Sequence, residues 1–241
     1  MLKKYSFHII VGILEVISSV LGGIISNFLN INSKKLKSNI YNITSGVMLG
    51  ITFLSILPEL FKVTRVSYGL IIILVSIFII MFLEKVVDNK LVSINNKVST
   101  KTIIIILTLA IHNAVEGFIA GTSVEYSFKL AITIVIALFL HNIPEGMIVG
   151  LKLKESNSGL KEIIKICILV AIPAGIGSLI GAFLIKTSSF FIPIGLGFCA
   201  GAMIYIVLWD LIPQSKSLGH FKYGYISYII GIIISYVIIK I

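Results

Sequence analysis

The sequence predicts an all-α membrane protein with eight transmembrane helices, and three observations support this prediction. Of the 241 residues, 57% are hydrophobic and only 12% are charged, about half the charged share of an ordinary soluble domain. The apolar residues form eight runs, each close to the roughly 20 residues with which a helix crosses a bilayer. Membrane β-strands need only about 9–11 alternating residues, so runs of this length favour helices.

The eight predicted helices are separated by short connectors that contain Asn, Ser, Lys and Gly, as is typical of loops. The longest connectors, 84–101 and 152–162, contain no His or Cys cluster and are predicted to be solvated loops. We therefore expect one polytopic domain over residues 1–241 and no separate soluble catalytic domain. The predicted helices cover residues 6–29, 41–60, 67–83, 102–124, 127–151, 163–185, 188–212 and 223–239.

The net charge of +10 is interpreted as a topology signal and as contact with lipid headgroups, not as a nucleic-acid surface. The 20 Lys and Arg residues lie almost wholly in the connectors, where they orient membrane proteins and attract anionic lipid. Counted on alternate sides of the predicted helices, thirteen lie on one side, and seven lie on the side of the amino terminus. The positive-inside rule therefore predicts a multi-pass protein of the cell membrane with both termini outside.

Two internal repeats predict inverted halves. The segments HNAVEGFIAG at 112–121 and HNIPEGMIVG at 141–150 agree at six of ten positions at an offset of 29. A second repeat, at an offset of 155, relates the second predicted helix to the seventh. Inverted repeats with polar, proline-interrupted centres are typical of transporters that bind their substrate near the bilayer midplane. The second repeat aligns Gly46, Met48 and Pro58 with Gly201, Met203 and Pro213.

The first repeat places His, Asn and Glu on one face of each of two helices. In the fourth helix, His112 and Glu116 lie one turn apart and Asn113 lies beside them. A Glu at the centre of a bilayer costs roughly 2.5–3.5 kcal/mol on insertion scales, so the two faces are expected to meet inside the bundle. Together they offer imidazole, carboxylate and amide groups that suit a borderline divalent cation such as Zn²⁺ or Fe²⁺. The second face consists of His141, Asn142 and Glu145.

Two alternatives to a metal transporter remain open at this point. One is an intramembrane metalloenzyme that uses the same cluster to activate water or oxygen. Neither motif reads HExxH, and no spare general base is evident, so we favour a protein that is not an enzyme. The other alternative is a proton-coupled carrier of organic solutes, in which the acidic residues form a relay.

Small and acidic residues outside the motif faces also receive predictions. The GxxxG pairs Gly117/Gly121 and Gly146/Gly150 are expected to let the fourth and fifth helices approach each other closely. Glu15 interrupts the first apolar run. It therefore needs a partner inside the bundle, which the sequence does not identify.

The paired motif, HNxxEG followed by HNxPEG, resembles the ZIP (Zrt-, Irt-like) family of divalent metal transporters, as does GVMLGITFLSILPE in the second helix. The resemblance covers essentially the whole chain. It implies uptake of a zinc-class cation into the cytoplasm, with iron, manganese and cadmium in the same class. It also implies a metal site between helices four and five and a homodimer. The metal ligands it implies are His112, Asn113, Glu116, His141, Asn142 and Glu145, with Met48 adding a thioether.

Two more residues are predicted on the transport pathway. By resemblance Ser55 would line the entry, and Asp210, which aligns with Ser55 at the offset of 155, is expected near the inner mouth.

The chain departs from the family pattern twice. Many bacterial relatives have a Glu just before the proline of the sixth helix, where it helps to hold a second metal ion. Here Ile172 precedes Pro173, which argues against a binuclear site. The connector 84–101 lacks the His-rich sequence of many relatives, which argues against metal sensing there.

Overall fold

The computed structural model describes residues 2–29, 32–91, 100–126, 128–219 and 221–240. These residues form eight long helices and no strand, so the predicted all-α fold is confirmed. The predicted connector at 84–101 is largely taken up by the ends of two helices, while its residues 92–99 lie outside the described residues, as does the predicted start of the fifth helix at 127. The helices are α1 (Leu2–Phe28), α2 (Lys34–Val63), α3 (Val66–Leu91), α4 (Thr100–Tyr126), α5 (Phe128–Glu155), α6 (Leu160–Thr187), α7 (Phe191–Ser217) and α8 (Phe221–Lys240).

Several helices extend beyond their apolar runs because polar turns continue them. α2 begins seven residues before its predicted start at residue 41. Ser33 caps this helix, since its side chain accepts a hydrogen bond from the backbone N–H of Leu36. Such a cap satisfies a backbone donor that a helix start leaves free. The hydrophobic run marks the part of α2 that would lie in the hydrocarbon, and the cap marks where the helix begins.

Polar and apolar side chains are distributed in the reverse of a soluble protein. Large apolar side chains such as Ile13, Phe78 and Phe183 face outwards, whereas Glu15 and His112 are fully buried. Among the described residues, five helices are long and apolar enough to cross a membrane, and two shorter apolar helices lie within α3 and α8. The protein is therefore a multi-pass membrane protein whose outer surface suits lipid.

The helices pack in two groups of four. The first group contains α1, α4, α5 and α6, in which α4 packs on α6 and α1 packs on both α5 and α6. Between α1 and α6, Gly12 lies against Gly175, and Nδ1 of the buried His8 lies 2.9 Å from Oγ of Ser178. In the second group, α2 packs on α8 and α7, and α3 packs on α7.

The helix contacts agree with both sequence repeats. A Cβ atom at Gly22 of α1 would overlap the carbonyl oxygen of Ile143 on α5, and a Cβ atom at Gly177 of α6 would overlap that of Ala114 on α4. Gly22 and Gly177 are 155 residues apart, whereas Ala114 and Ile143 are 29 residues apart. The two offsets thus relate one helix contact to the other, and the pairing of α1 with α5 is repeated by that of α6 with α4.

The two GxxxG pairs do allow close helix packing, but the predicted contact between α4 and α5 is wrong. Cβ atoms at Gly117 and Gly121 would overlap the backbone of α6, and Cβ atoms at Gly146 and Gly150 would overlap atoms of α1. The glycines therefore pack α4 and α5 against outer neighbours and not against each other. The reason is rotational, because Gly117 lies about 100° around the helix from Glu116. That rotation leaves the His–Glu face of each helix for its partner motif.

α2 and α7 each contain a wide π-helical turn near a proline. The turns cover Thr52–Ile56 and Ile206–Leu211, and Pro58 and Pro213 follow them. Proline has no N–H with which to continue the α-helical hydrogen bonds, and such turns are frequent at functional sites. The two prolines are 155 residues apart, so the inverted halves share this interruption.

We expect Gly177→Val to destabilise the protein, because the new side chain would push α6 away from the carbonyl oxygen of Ala114. The free energy of unfolding should fall by about 1–3 kcal/mol or more, as for other overpacked cores. Thermal unfolding of the detergent-solubilised protein would measure the loss. Gly159→Val is the matched control, since no atom lies within 4 Å of a Cβ at Gly159. Equal stability of the two variants would contradict this account of the contact.

Candidate metal centre

The two motif faces meet between α4 and α5. Nε2 of His112 lies 2.8 Å from Oε1 of Glu116, and Nε2 of His141 lies 2.9 Å from the same oxygen. Oε1 of Glu145 lies 3.4 Å from Nε2 of His112 and 3.8 Å from Nε2 of His141. One ligand atom from each of His112, His141 and Glu145 fits within a mutual separation of 4.8 Å. The structure therefore brings together four of the residues that the sequence predicted as ligands, at spacings that suit a shared cation.

This cluster is shielded from solvent and lipid. None of its four residues exposes more than 3% of its surface. Apart from the ion-pair contacts among them, the carboxylate oxygens of Glu116 and Glu145 and both Nε2 atoms have no hydrogen-bond partner. A buried polar group left without a partner costs about 1–3 kcal/mol, and a charged one costs more. The cluster therefore favours occupation by a positive charge.

His141 is held in the tautomer that a metal ligand requires. Its Nδ1 lies 2.9 Å from the carbonyl oxygen of Ala137, one turn earlier in α5. A carbonyl oxygen only accepts, so Nδ1 carries the proton and donates it, and in the neutral ring Nε2 presents its lone pair to Glu116. A lone pair facing a carboxylate oxygen at 2.9 Å is repulsive unless a cation or a second proton lies between them. Fixing the far nitrogen in this way is how proteins orient metal-binding imidazoles.

Both motif asparagines are held by the neighbouring helices through their amide nitrogens. Nδ2 of Asn113 donates to the carbonyl oxygen of Val170 on α6 at 3.0 Å. Nδ2 of Asn142 donates to the carboxylate of Glu15 on α1. The Oδ1 atoms of both asparagines are buried and have no hydrogen-bond partner. The amide oxygens are thus the free ends of these side chains, as ligands would be.

The structure identifies the partner of the buried Glu15 as Asn142, one of the motif asparagines. The sequence showed that a buried acid in α1 needs a partner. It could not show that the partner is Asn142, because the pairing depends on how α1 packs on α5. The signal available in the sequence was the rarity of an acidic residue inside an apolar run.

A small cavity extends from the cluster towards α2 and α7. Its volume is about 20 Å³, and Glu116, Ser55, Cys199 and Met203 are among the residues that line it. This volume accommodates about one water-sized particle. Ser55 therefore lies near Glu116, together with two sulfur-containing side chains, and its place at the entry of the pathway stays a prediction. A larger cavity of about 390 Å³ between α4, α6 and α7 is lined only by apolar residues and offers a cation no ligand.

The other predicted residues lie outside this cluster. Met48, on α2, is fully buried in the main apolar core of the bundle, and its role as a ligand stays a prediction. Asp210 accepts a hydrogen bond from Nε2 of Gln214 on the same helix, and its place on the pathway likewise stays a prediction. Ile172 lies on the outer surface of α6 with 44% of its side chain exposed, so it offers no ligand.

A family model described as ZIP Zinc transporter matches residues 93–239, more than half of the chain. The match begins before α4, includes both repeated motifs and ends in α8. No curated protein matches the chain.

We expect Zn²⁺ to stabilise the purified protein and Glu116→Ala to remove most of that effect, because Glu116 contacts both histidines. At a free Zn²⁺ concentration of about 100 times Kd, the wild-type protein should gain about 2.7 kcal/mol of stability. The shift in thermal unfolding on adding Zn²⁺ measures this gain. Glu155→Ala is the control, since Glu155 pairs with Lys37 at the surface, and it should keep the full shift. An unchanged shift in Glu116→Ala would show that the cation binds elsewhere.

Proposed function

The chain belongs to the ZIP zinc transporter family, and on this premise we propose that it carries Zn²⁺ into the cytoplasm through the cluster between α4 and α5. Members of this family transport divalent metals and are not enzymes. One observation carries the proposal: two imidazole nitrogens and two carboxylates meet in a buried cluster, unpaired except with one another. Iron, manganese and cadmium ions belong to the same proposed substrate class.

The donor atoms support a transition metal as the substrate. Zn²⁺ and Fe²⁺ accept mixed nitrogen and oxygen ligands, whereas Mg²⁺ and Ca²⁺ prefer shells made of oxygen alone. Two carboxylates also balance the double charge of the cation in a site that has little water. The proposed ligands are His112, Asn113, Glu116, His141, Asn142, Glu145 and Met48.

We propose that the cation moves past α2 and α7 on its way to or from the cluster. The cavity beside Glu116 lies on this side and includes Ser55, which belongs to the wide turn of α2. Asp210 occupies the equivalent wide turn of α7 and is proposed to lie farther along the same route. Because protons compete for the lone pairs that bind a metal, a rise in proton concentration would favour release.

The membrane setting completes the proposal. The distribution of Lys and Arg supports a position in the cell membrane with both termini outside. The resemblance to the family supports a homodimer. The partners of the chain are then the transported ion, the lipid bilayer and a second copy of the chain, with no role for nucleic acid.

We expect Glu145→Ala to abolish uptake of Zn²⁺ by proteoliposomes, because the cluster would keep only one of its two carboxylates for a doubly charged ion. Flux of radioactive zinc into the vesicles measures the effect, and equal insertion of the two proteins is checked by their yield in the membrane. Glu155→Ala should transport at the wild-type rate. Undiminished flux in Glu145→Ala would exclude the cluster as the route. Metal-dependent cleavage of a lipid or peptide without flux would favour the metalloenzyme.

We also expect the cluster to select transition metals over alkaline-earth ions. In the same flux assay, unlabelled Cd²⁺ and Fe²⁺ should compete with zinc at comparable concentrations. Mg²⁺ and Ca²⁺ should compete at least about tenfold more weakly, since they gain little from imidazole nitrogen. Equal competition by Mg²⁺ would contradict the nitrogen ligation proposed here.

A further inference from the structure

We propose that Glu15 of α1 is a positioning residue of the cation site that acts by orienting the amide of Asn142. This inference rests on the proposed function, because the ion is the transported divalent cation. It assigns a role to a helix that contributes no residue to the two repeated motifs.

The first step is the burial and bonding of Glu15. Its side chain is fully buried, and one carboxylate oxygen accepts a hydrogen bond from Nδ2 of Asn142. The other oxygen, Oε1, is buried without a hydrogen-bond partner. α1 approaches α5 very closely at this level, since a Cβ at Gly146 would overlap the carbonyl oxygen of Ser19. Close packing of the two helices therefore holds the carboxylate against the amide.

The second step is the orientation of the amide. An Asn side chain has one end that donates and one that accepts, whereas a carboxylate only accepts. Glu15 therefore fixes the NH₂ end of Asn142 towards α1, because the opposite orientation would bring two oxygens together. The amide oxygen of Asn142 is left without a partner and is available to a cation. Residues that orient ligands in this way are part of most metal sites.

The third step is a comparison of the two inverted halves. The offset of 29 relates Asn142 to Asn113, and the offset of 155 relates Glu15 to Val170. Asn113 is fixed in the same way as Asn142, but by the backbone carbonyl of Val170. In each half an acceptor on the outer helix therefore orients the amide: a backbone carbonyl for Asn113 and a carboxyl oxygen for Asn142.

Two substitutions of Glu15 test the orientation of Asn142. Glu15→Gln keeps an acceptor for Asn142, whereas Glu15→Val removes it and copies the residue of the other half. We expect Glu15→Gln to keep an affinity for Zn²⁺ close to that of the wild-type protein and Glu15→Val to lose about 10- to 100-fold, the range found when outer partners of ligands are removed. Equilibrium dialysis gives Kd, and proteoliposome flux should show a higher KM. Val11→Ala, which trims another fully buried side chain one turn earlier on α1, should leave Kd unchanged.

A reversed pair tests the direct contact. Asn142→Asp alone would place two carboxylates against each other and should weaken Zn²⁺ binding. Adding Glu15→Gln to it restores a donor–acceptor pair with the same total charge, so the double variant should regain most of the lost affinity. Such coupling is the signature of residues in direct contact. No recovery in the double variant, or wild-type affinity in Glu15→Val, would overturn the positioning role. If the wild-type protein itself bound and transported no Zn²⁺, the proposed function would fail first.

Discussion

The structure depends on one electrostatic constraint: carboxylates in the middle of an apolar bundle have to be hidden from lipid and balanced by positive charge. Oε1 of Glu116 lies between the Nε2 atoms of His112 and His141, and outside the cluster these atoms have no hydrogen-bond partner. Because these polar side chains are almost completely buried, the two motif faces have to turn towards each other. The orientation of α4 and α5 follows from that requirement.

The remaining helices support this orientation. Glycines on α4 and α5 allow α6 and α1 to pack closely on the sides that carry no cluster residues. The same outer helices then hold the motif asparagines, through Val170 on one side and Glu15 on the other. The same helix contacts therefore produce both the close packing and the orientation of the asparagine amides. A substitution at the glycines would also displace the acceptors of the asparagines.

Much of this arrangement follows from the sequence because helical periodicity defines which residues of one helix share a face. The His–Glu faces of α4 and α5 were predictable, since burying two acids leaves few alternatives. Periodicity does not define which neighbour a face will meet, and this is why the glycine contacts were assigned to the wrong helices. The acceptor at Val170 is a backbone carbonyl, which every residue has, so the sequence could not indicate it. The start of α2 was missed because Ser33, a capping residue, lies outside the apolar run.

The division of the helices into two groups of four places the cluster in one group and the residues that close the cavity beside it in the other. Every side chain of the cluster, with Glu15 and the carbonyl of Val170, belongs to the group made of α1, α4, α5 and α6. Ser55, Cys199 and Met203, which close one side of the small cavity, belong to the other group. A displacement of one group along the other would therefore change the neighbours of the cluster without altering the distances inside it.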